Sequence, residues 1–281
     1  MASNFPGSER QGHPLLHVQK LSKHYVRGRE WGKSVAVTAV CDVDFEIRAG
    51  QTLALVGASG AGKSSVARCV ARLERPDSGE IWLDGTDIAR LNSRDLLPIR
   101  SNIQMIFQDA ETSMNPRFSA AEVIEEPLQI QGASRSERRD IATAVMREVG
   151  LPAEWLKRPV LEFSGGQQQR LAIARALSTR PKMLVLDEAL SSLDLSTQAQ
   201  IANLLLDLQS AHSMAYLLIS HDLTLVARMA DVLSVMSDGR IVEMGATQQV
   251  IADPKHAQTQ RLLASARAAE SKFDLASGAS A

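Results

Sequence analysis

Eight consecutive residues, 57–64, have the types and order of a phosphate-binding loop. They follow an apolar stretch, 52–56, that predicts a strand, and they precede residues 65–73, which predict a helix. Glycines let backbone N–H groups turn inward around phosphate oxygens, and the helix N-terminus adds positive potential. The residues predicted to bind a nucleoside triphosphate are Gly57, Ala58, Ser59, Gly60, Ala61, Gly62, Lys63, Ser64 and Ser65. Lys63 would supply a charge to the β- and γ-phosphates, and the Ser64 hydroxyl would ligate Mg²⁺.

A second candidate feature is a pair of carboxylates, Asp187 and Glu188, directly after the apolar run 183–186. Two acids at the end of a buried strand can divide a hydrolytic task. Asp187 can hold magnesium, and Glu188 can polarise a water for in-line attack on the γ-phosphate. Taken alone, the same residues also fit a strand that ends in a solvated acidic turn.

A third feature is the segment Ser164, Gly165, Gly166 and Gln167, which opens a helix with a serine cap and two glycines. This is a second helix N-terminus suited to an anion. A single triphosphate seldom needs two such ends from one chain, so the segment indicates a second phosphate contact.

Composition excludes several classes of protein. With 281 residues and a formal net charge of -1, the chain can form one or two lobes and has no overall attraction to nucleic acid or an anionic membrane. Its two cysteines, Cys41 and Cys69, stand far apart, so neither a disulfide framework nor a zinc site is indicated. The N-terminus lacks a signal-peptide pattern, and no apolar run of about 18 residues exists. We expect a protein of the cytosol.

The elements that must position these residues alternate between strands and helices, as in a doubly wound α/β core. The predicted strands are 15–21, 43–47, 52–56, 80–83, 103–107, 183–186, 215–219, 232–236 and 240–243. Between residues 110 and 179 the pattern becomes helical, with helices predicted over 120–131, 135–149 and 165–179. A loop is expected over 27–34, and 264–281 should fray or form a marginal helix.

The segment around Ser164 resembles the signature motif of ATP-binding cassette (ABC) ATPases, and the other cassette elements match in order. The resemblance implies an α/β P-loop NTPase fold: a RecA-like parallel sheet core, an antiparallel β part and an inserted helical subdomain. It implies a flexible N-terminus over 1–14, an ATPase domain over 15–255 with its helical subdomain at about 110–179, and a short C-terminal tail over 256–281.

The resemblance also implies roles for single residues. Tyr25 resembles the aromatic that stacks on adenine, and Gln108 resembles the glutamine that contacts magnesium and the attacking water. Asp194 lies in a segment that resembles the D-loop, and His221 resembles the switch histidine that faces the γ-phosphate. Each has a plainer reading alone: Tyr25 as a core or rim aromatic, Gln108 as a solvated loop residue, and His221 as a histidine beside the cap of a helix that starts at Asp222.

In this family two cassettes pack head to tail, and each ATP lies between the phosphate loop of one subunit and the signature of the other. The resemblance therefore implies a homodimer, or a heterodimer with a second ATPase, bound peripherally to the cytoplasmic face of the inner membrane. The implied partners are membrane permease subunits, contacted through a groove from Gln108 to Leu128, and an extracytoplasmic solute-binding protein. No nucleic acid partner is expected.

A narrower similarity is to ATPase subunits of the dipeptide, oligopeptide and nickel importer group. It rests on segments 105–109, 114–117, 126–128, 196–200, 253–256 and 259–263. Three residues depart from the usual cassette pattern: Phe163 replaces leucine, Ala189 replaces proline and Ser192 replaces alanine. In the tail, Ala257 and Gln258 replace the usual Pro-Tyr pair. Peptide uptake is the leading expectation, with nickel or another small solute as the alternative.

Two different classes of function compete with transport. A non-transport ABC protein that acts on ribosomes or DNA usually carries two cassettes, or separates phosphate loop and signature by hundreds of residues, and neither pattern is present. A degraded cassette would bind ATP without hydrolysing it, yet Lys63, Ser64, Asp187, Glu188 and His221 all retain their reactive groups.

Overall fold

The computed structural model describes residues 13–30, 33–108 and 113–278. The expectation of a flexible N-terminus, 1–14, lies almost entirely outside these ranges. The strands are β1 Leu16–Glu30, β2 Lys33–Ile47, β3 Thr52–Val56, β4 Ser78–Leu83, β5 Thr86–Asp87, β6 Ile103–Ile106, β7 Met183–Asp187, β8 Ala215–Ile219, β9 Val232–Ser237 and β10 Arg240–Ala246.

The α-helices are α1 Lys63–Val70, α2 Ser93–Leu96, α3 Ala120–Ile130, α4 Arg135–Glu148, α5 Gly165–Leu177, α6 Leu195–His212, α7 Leu223–Met229, α8 Thr247–Ala252 and α9 Ala257–Gly278. Short 3₁₀ helices span Arg100–Asn102, Ala153–Lys157 and Val160–Glu162. The chain forms two compact units. The first holds the residues up to Arg48, Thr52–Arg90 and the chain from Leu218 onward, and the second holds Ala49–Gln51 and Leu91–Leu217.

The first unit contains an antiparallel sheet in the order β2-β1-β4-β5. Strands β1 and β2 form a long hairpin in which Leu16 pairs with Ile47 and Glu30 pairs with Lys33. The expected loop over 27–34 is therefore wrong for residues 27–30 and 33–34, which pair as strands, and its remaining residues, 31–32, lie outside the described residues. The same unit pairs β3 with β9 in parallel and β9 with β10 antiparallel. Every residue of β3 is buried, as is typical of parallel strands covered on both faces.

The second unit pairs β6 and β7 in parallel, with Ile103 opposite Met183 and Ile106 opposite Leu186. Two of its helices begin at serine caps. Ser119 caps α3 with Glu122 in a reciprocal capping box, and Ser134 caps α4 by accepting from the Glu137 backbone N–H. The predicted helices 120–131, 135–149 and 165–179 are confirmed to within two residues at each end.

The C-terminal segment, expected to fray or form a marginal helix from residue 264, belongs to α9, which extends to Gly278. The start of this helix is fixed by Glu243, whose carboxylate accepts from the backbone N–H groups of Lys255 and His256 at 2.7 and 2.9 Å. Within the described part of the chain, none of the helices combines the length and the apolarity needed to cross a bilayer.

Candidate functional site

The phosphate loop connects β3 to α1 in the first unit, and two of its three glycines are required by close backbone contacts. Gly57 and Gly62 have φ of +150° and +104°, in the region that L-residues with side chains rarely adopt. A Cβ at Gly57 would lie 2.2 Å from the Met236 carbonyl oxygen, and one at Gly62 would lie 2.0 Å from the Ala39 carbonyl oxygen. The loop is therefore held against the backbone of β9 and β2, and no larger residue fits at either position.

Lys63 is the first residue of α1 and is buried, with 6% of its surface exposed. Its ammonium donates to the carbonyl oxygens of Gly57 and Ala58 at 2.9 and 3.0 Å. The positive charge is thus held inside the loop that it closes. Ser64 and Ser65 follow in the first turn of α1, half-buried, beside the N-terminus that begins at Gly62. Backbone donors, a helix N-terminus and a lysine ammonium together form a site for a polyphosphate.

Tyr25 lies on β1 and is tied to the start of α1 rather than to the core. Its hydroxyl lies 3.3 Å from the Ser65 hydroxyl and donates to the Glu74 carboxylate. Burial raises the pKa of Tyr25, and its hydrogen bond to Glu74 raises it further. The Lys23 ammonium lies 5.6 Å from the centroid of the ring. The structure therefore places the predicted adenine-stacking ring directly beside the phosphate loop.

His221 follows β8 and is exposed, in the first unit with the phosphate loop. The next residue, Asp222, caps α7: its carboxylate accepts from the backbone N–H groups of Thr224 and Leu225 at 2.8 and 3.1 Å. The Ser220 hydroxyl accepts from the Asp222 N–H at 3.0 Å. The loop that carries His221 is thereby fixed on both sides of the imidazole.

Asp187 ends β7 in the second unit, and its carboxylate is buried, with 8% of the residue exposed. Glu188 follows with a φ of +49°, a left-handed conformation that is uncommon for glutamate. Its carbonyl accepts from the Ser191 hydroxyl at 2.8 Å and from the Ser191 N–H at 3.1 Å. The turn is closed by these bonds, so the direction in which the chain leaves β7 is fixed. Backbone outliers of this kind cluster at functional sites.

Gln108 follows β6 in the same unit and is exposed. Its carbonyl oxygen accepts from the Ser192 hydroxyl at 3.2 Å. Ser192 stands two residues before Asp194, so one hydrogen bond connects the predicted Q-loop to the predicted D-loop. An alanine at position 192 could not make this contact.

The signature segment opens α5 in the second unit. Ser164 caps the helix, and its N–H donates to the Gln167 side-chain oxygen at 3.1 Å. Ser164 and Gly165 are exposed, and a Cβ at Gly165 would meet nothing within 4 Å. This helix N-terminus is open to solvent, and no backbone carbonyl packs against Gly165 as one does against Gly57 and Gly62 of the phosphate loop.

Asp194 caps the neighbouring helix α6 through Thr197, whose N–H and hydroxyl donate to its carboxylate at 2.9 and 2.7 Å. The hydrogen bonds from Thr197, backbone first, lower the pKa of Asp194. Thr197 also packs close to the signature: a Cβ at Gly166 would lie 2.6 Å from its methyl carbon. The signature residues and the segment 192–194 line one cavity of about 690 Å³ within the second unit.

The residues predicted to hold magnesium are Ser64, Gln108 and Asp187. They offer hydroxyl, amide and carboxylate oxygens, the hard donors that Mg²⁺ prefers. Among them, Asp187 offers its carboxylate from a buried position at the end of β7. Among the described residues, no group of three or more histidine, cysteine, aspartate or glutamate side chains could hold a metal ion.

The predicted site residues fall into two groups, one in each unit. The first unit holds Tyr25, residues 57–65 and His221, and brings Tyr25 into contact with Ser65. The second unit holds Gln108, Asp187, Glu188, Asp194 and the signature, and brings the signature and Asp194 to one cavity. Sequence reasoning missed Glu74, Thr197 and the hydrogen bond between Ser192 and Gln108. The departure of Ser192 from the usual alanine was the only available signal.

Comparison with known proteins decides the family. The profile of the ABC transporter family matches residues 40–191, more than half of the chain. The chain belongs to the ABC transporter family. The ABC cassette fold and the ATPase class that the motifs predicted are confirmed by this match and by solved cassettes. One of these, a dimeric post-hydrolysis state of the ATP-binding cassette MJ0796 bound to ADP and Pi, has a TM-score of 0.72 and 27% identity over 83% of this chain and 98% of that one.

Two relatives of this ABC protein carry more specific names. A probable peptide ABC transporter ATP-binding protein of Sinorhizobium fredii is 46% identical over 90% of this chain and 72% of that protein. A putative peptide import ATP-binding protein of Brucella ovis is 41% identical over 89% of this chain and 78% of that protein. These similarities extend well beyond the cassette motifs, since they include most of the chain.

Proposed function

We propose that this ABC protein is the ATP-hydrolysing subunit of an importer that takes up peptides across the cytoplasmic membrane. The observation that carries the proposal is the phosphate loop, whose glycines are locked against backbone carbonyls around a buried lysine. The peptide cargo rests on the two named relatives. We assign the ATPase domain to 15–255, with a helical subdomain at about 110–179 and a tail over 256–281.

ATP binding falls to the first unit. The backbone N–H groups of residues 57–62 and the N-terminus of α1 receive the phosphates, and the Lys63 ammonium neutralises the β- and γ-phosphate charge. The Ser65 hydroxyl lies at the same helix N-terminus and is held by Tyr25. We assign Tyr25 the adenine contact.

We assign hydrolysis to five residues: Ser64, Gln108, Asp187, Glu188 and His221. Magnesium, when bound, would neutralise charge on the phosphate oxygens, and Ser64, Gln108 and Asp187 are the residues that would hold it. Glu188 accepts a proton from the attacking water, and Gln108 orients that water. His221 donates a hydrogen bond toward the γ-phosphate. The turn that fixes Glu188 supports its role, because a general base must be held at a constant position.

The signature acts on a nucleotide carried by a second molecule, either another copy of this chain or a related ATPase. Its helix N-terminus is exposed and borders a cavity that Asp194 shares, an arrangement suited to a phosphate delivered from outside. ATP would then join two subunits, and hydrolysis would release them. The chain would lie on the cytoplasmic face of the membrane, against permease subunits that receive peptide from an extracytoplasmic solute-binding protein.

The test is uptake of a labelled dipeptide and of nickel in cells that express the wild type, Glu188→Gln, or Glu137→Gln as an exposed control on α4. Loss of peptide uptake in Glu188→Gln alone, with nickel uptake unchanged, is the expected result. Loss of nickel uptake alone would move the protein to the metal importers of the same group. Loss of neither would contradict peptide as the cargo and nickel as its alternative, would reopen the cargo and the direction of transport, and would leave the ATPase assignment unchanged.

A further inference from the structure

The chain directly before the signature is held by a cluster of stacked side chains. The Arg158 guanidinium lies 4.9 Å from the Trp155 ring centroid and 5.0 Å from the Phe163 ring centroid. The two rings meet edge to face, with centroids 5.8 Å apart. Phe163 immediately precedes Ser164, so this cluster, which we call the Arg158 clamp (Trp155, Arg158 and Phe163), ends where the signature begins.

Glu162, which lies next to the clamp in sequence, pairs with the charge of Arg158. Arg158 lies 3.4 Å from the Glu162 carboxylate and also donates to the Glu162 carbonyl oxygen. The Arg158 side chain retains 31% of its exposure, so the ion pair alone contributes little. A planar guanidinium can stack on rings and bond a carbonyl at the same time, whereas a lysine ammonium cannot reproduce this geometry.

Backbone bonds fix the other side of the same segment. The Arg158 carbonyl accepts from the Ala120 N–H at 3.0 Å, and the Val160 N–H donates to the Phe118 carbonyl at 3.0 Å. The Gln168 side-chain amide, one turn into α5, donates to the Val160 carbonyl at 3.3 Å. Residues 158–163 are thus attached to the start of α3 on one side and to α5 on the other.

We propose that Arg158 is a positioning residue that preorganises the N-terminus of α5 for a phosphate brought by a second subunit. The inference rests on the proposed function, in which the signature contacts that phosphate. A helix N-terminus that is already fixed loses less conformational entropy when the anion binds. Phe163 takes part because its ring supplies one face of the clamp, which leucine at this position could not do.

The test measures ATP-driven dimerisation in the Glu188→Gln background, by light scattering at increasing ATP concentration. The variants are Arg158→Ala, Arg158→Lys and Phe163→Leu, with Arg147→Lys, an exposed arginine on α4, as the matched control. Both Arg158 variants should raise the ATP concentration for half-dimerisation by about three- to tenfold, the size expected from losing two partly exposed cation–π contacts. Phe163→Leu should give a smaller rise, and Arg147→Lys none.

ATP binding by the monomer, measured with a fluorescent ATP analogue at low protein concentration, should stay within about twofold of the parent for every variant. This readout also shows that each variant is folded. If Arg158→Lys dimerises at the same ATP concentration as the parent, a positive charge at position 158 is sufficient, and the proposed role of the stacked guanidinium is contradicted. Failure of the Glu188→Gln parent to dimerise with ATP would overturn the proposed function, and this inference with it.

Discussion

In the proposed function two helices of this protein receive a phosphate at their N-termini, and the surroundings of the two ends differ. Helix α1 begins at Gly62, in a left-handed conformation without a side-chain cap, inside a loop whose glycines touch backbone carbonyls. Helix α5 begins at Ser164, supported by the Gln167 side chain, with exposed residues around it. The first site is enclosed only at its ends, where Gly57 and Gly62 pack against backbone carbonyls, while residues 58–60 are exposed. The second is a fixed but open end that requires another surface to complete it.

The largest expected effect comes from removing the positive charge of Lys63 from the phosphate loop. Lys63→Ala should weaken ATP binding by about two orders of magnitude, because a charge-assisted contact to two phosphates is lost. Isothermal titration of the isolated subunit measures the effect, with Lys157→Ala as an exposed lysine control. Binding within a factor of two of the wild type would show that the loop does not receive the triphosphate.

Blocking the exposed N-terminus of α5 should leave ATP binding intact and abolish ATP hydrolysis. Ser164→Arg places a long cationic side chain at the exposed N-terminus of α5, so a second subunit cannot bring its phosphate there. We expect steady-state ATPase activity to fall by about 100-fold or more while ATP binding to the monomer stays nearly intact. If monomer binding were lost instead, the signature would act on the nucleotide of its own chain.

A matched pair of glycine substitutions compares the packing around the two helix N-termini directly. Gly62→Ala forces a Cβ to within 2.0 Å of the Ala39 carbonyl oxygen at a φ of +104°, and should cost at least about 2 kcal/mol of unfolding free energy. Gly165→Ala meets nothing within 4 Å and should change stability by no more than about 0.5 kcal/mol. Urea unfolding of both variants measures the difference. Equal losses would contradict the enclosed geometry of the first site.

The smallest expected effect concerns the charge at the cap of α6. Hydrogen bonds from Thr197 lower the pKa of Asp194 in the folded protein, so its carboxylate stabilises the fold above the unfolded pKa, about 3.9, and this contribution is lost as the pH falls through the folded pKa. Asp194→Asn keeps a capping side chain and removes the charge. Its melting temperature should lie slightly below that of the wild type at pH 7, and the difference between the two melting temperatures should close as the pH falls through the lowered pKa of Asp194.

The control for that prediction is Asp207→Asn, an exposed position on the same helix, α6. At neutral pH this variant should have the same melting temperature as the wild type. A difference between Asp194→Asn and the wild type that grows on acidification would contradict the sign of the pKa shift.

Much of the fold was predictable, because the short apolar runs that form strands are followed by residues that favour turns. Strand β3 and strand β8 match their predictions at both ends, and Ser119 and Ser134 mark helix starts. The hairpin beyond Tyr25 was not predictable from an apolar pattern, because its β1 side, residues 27–30, is polar and contains a glycine and is held by pairing with residues 33–35 of β2. Helix α1 starts two residues earlier than expected, since Lys63 already has helical geometry after the left-handed Gly62.

The chemical roles of the candidate site residues could be predicted from their residue types. The contacts that hold those residues in place could not. The Ser192 hydroxyl contacts Gln108 across 84 positions of sequence, and Arg158 needs a tryptophan three residues before it and a phenylalanine five residues after it. No spacing rule connects such residues, because their meeting depends on how loops fold back. These contacts decide how firmly each helix end is held, which is the property that separates the two sites.

One experiment addresses the ATPase proposal above all others: ATP hydrolysis and particle size measured together on the wild type and Glu188→Gln. If Glu188 is the general base, the variant should bind ATP normally, lose turnover by about 100-fold or more and accumulate as a dimer in ATP. Wild-type turnover in Glu188→Gln would contradict the assignment of Glu188, and a variant that stays monomeric in ATP would contradict the sandwich between two subunits.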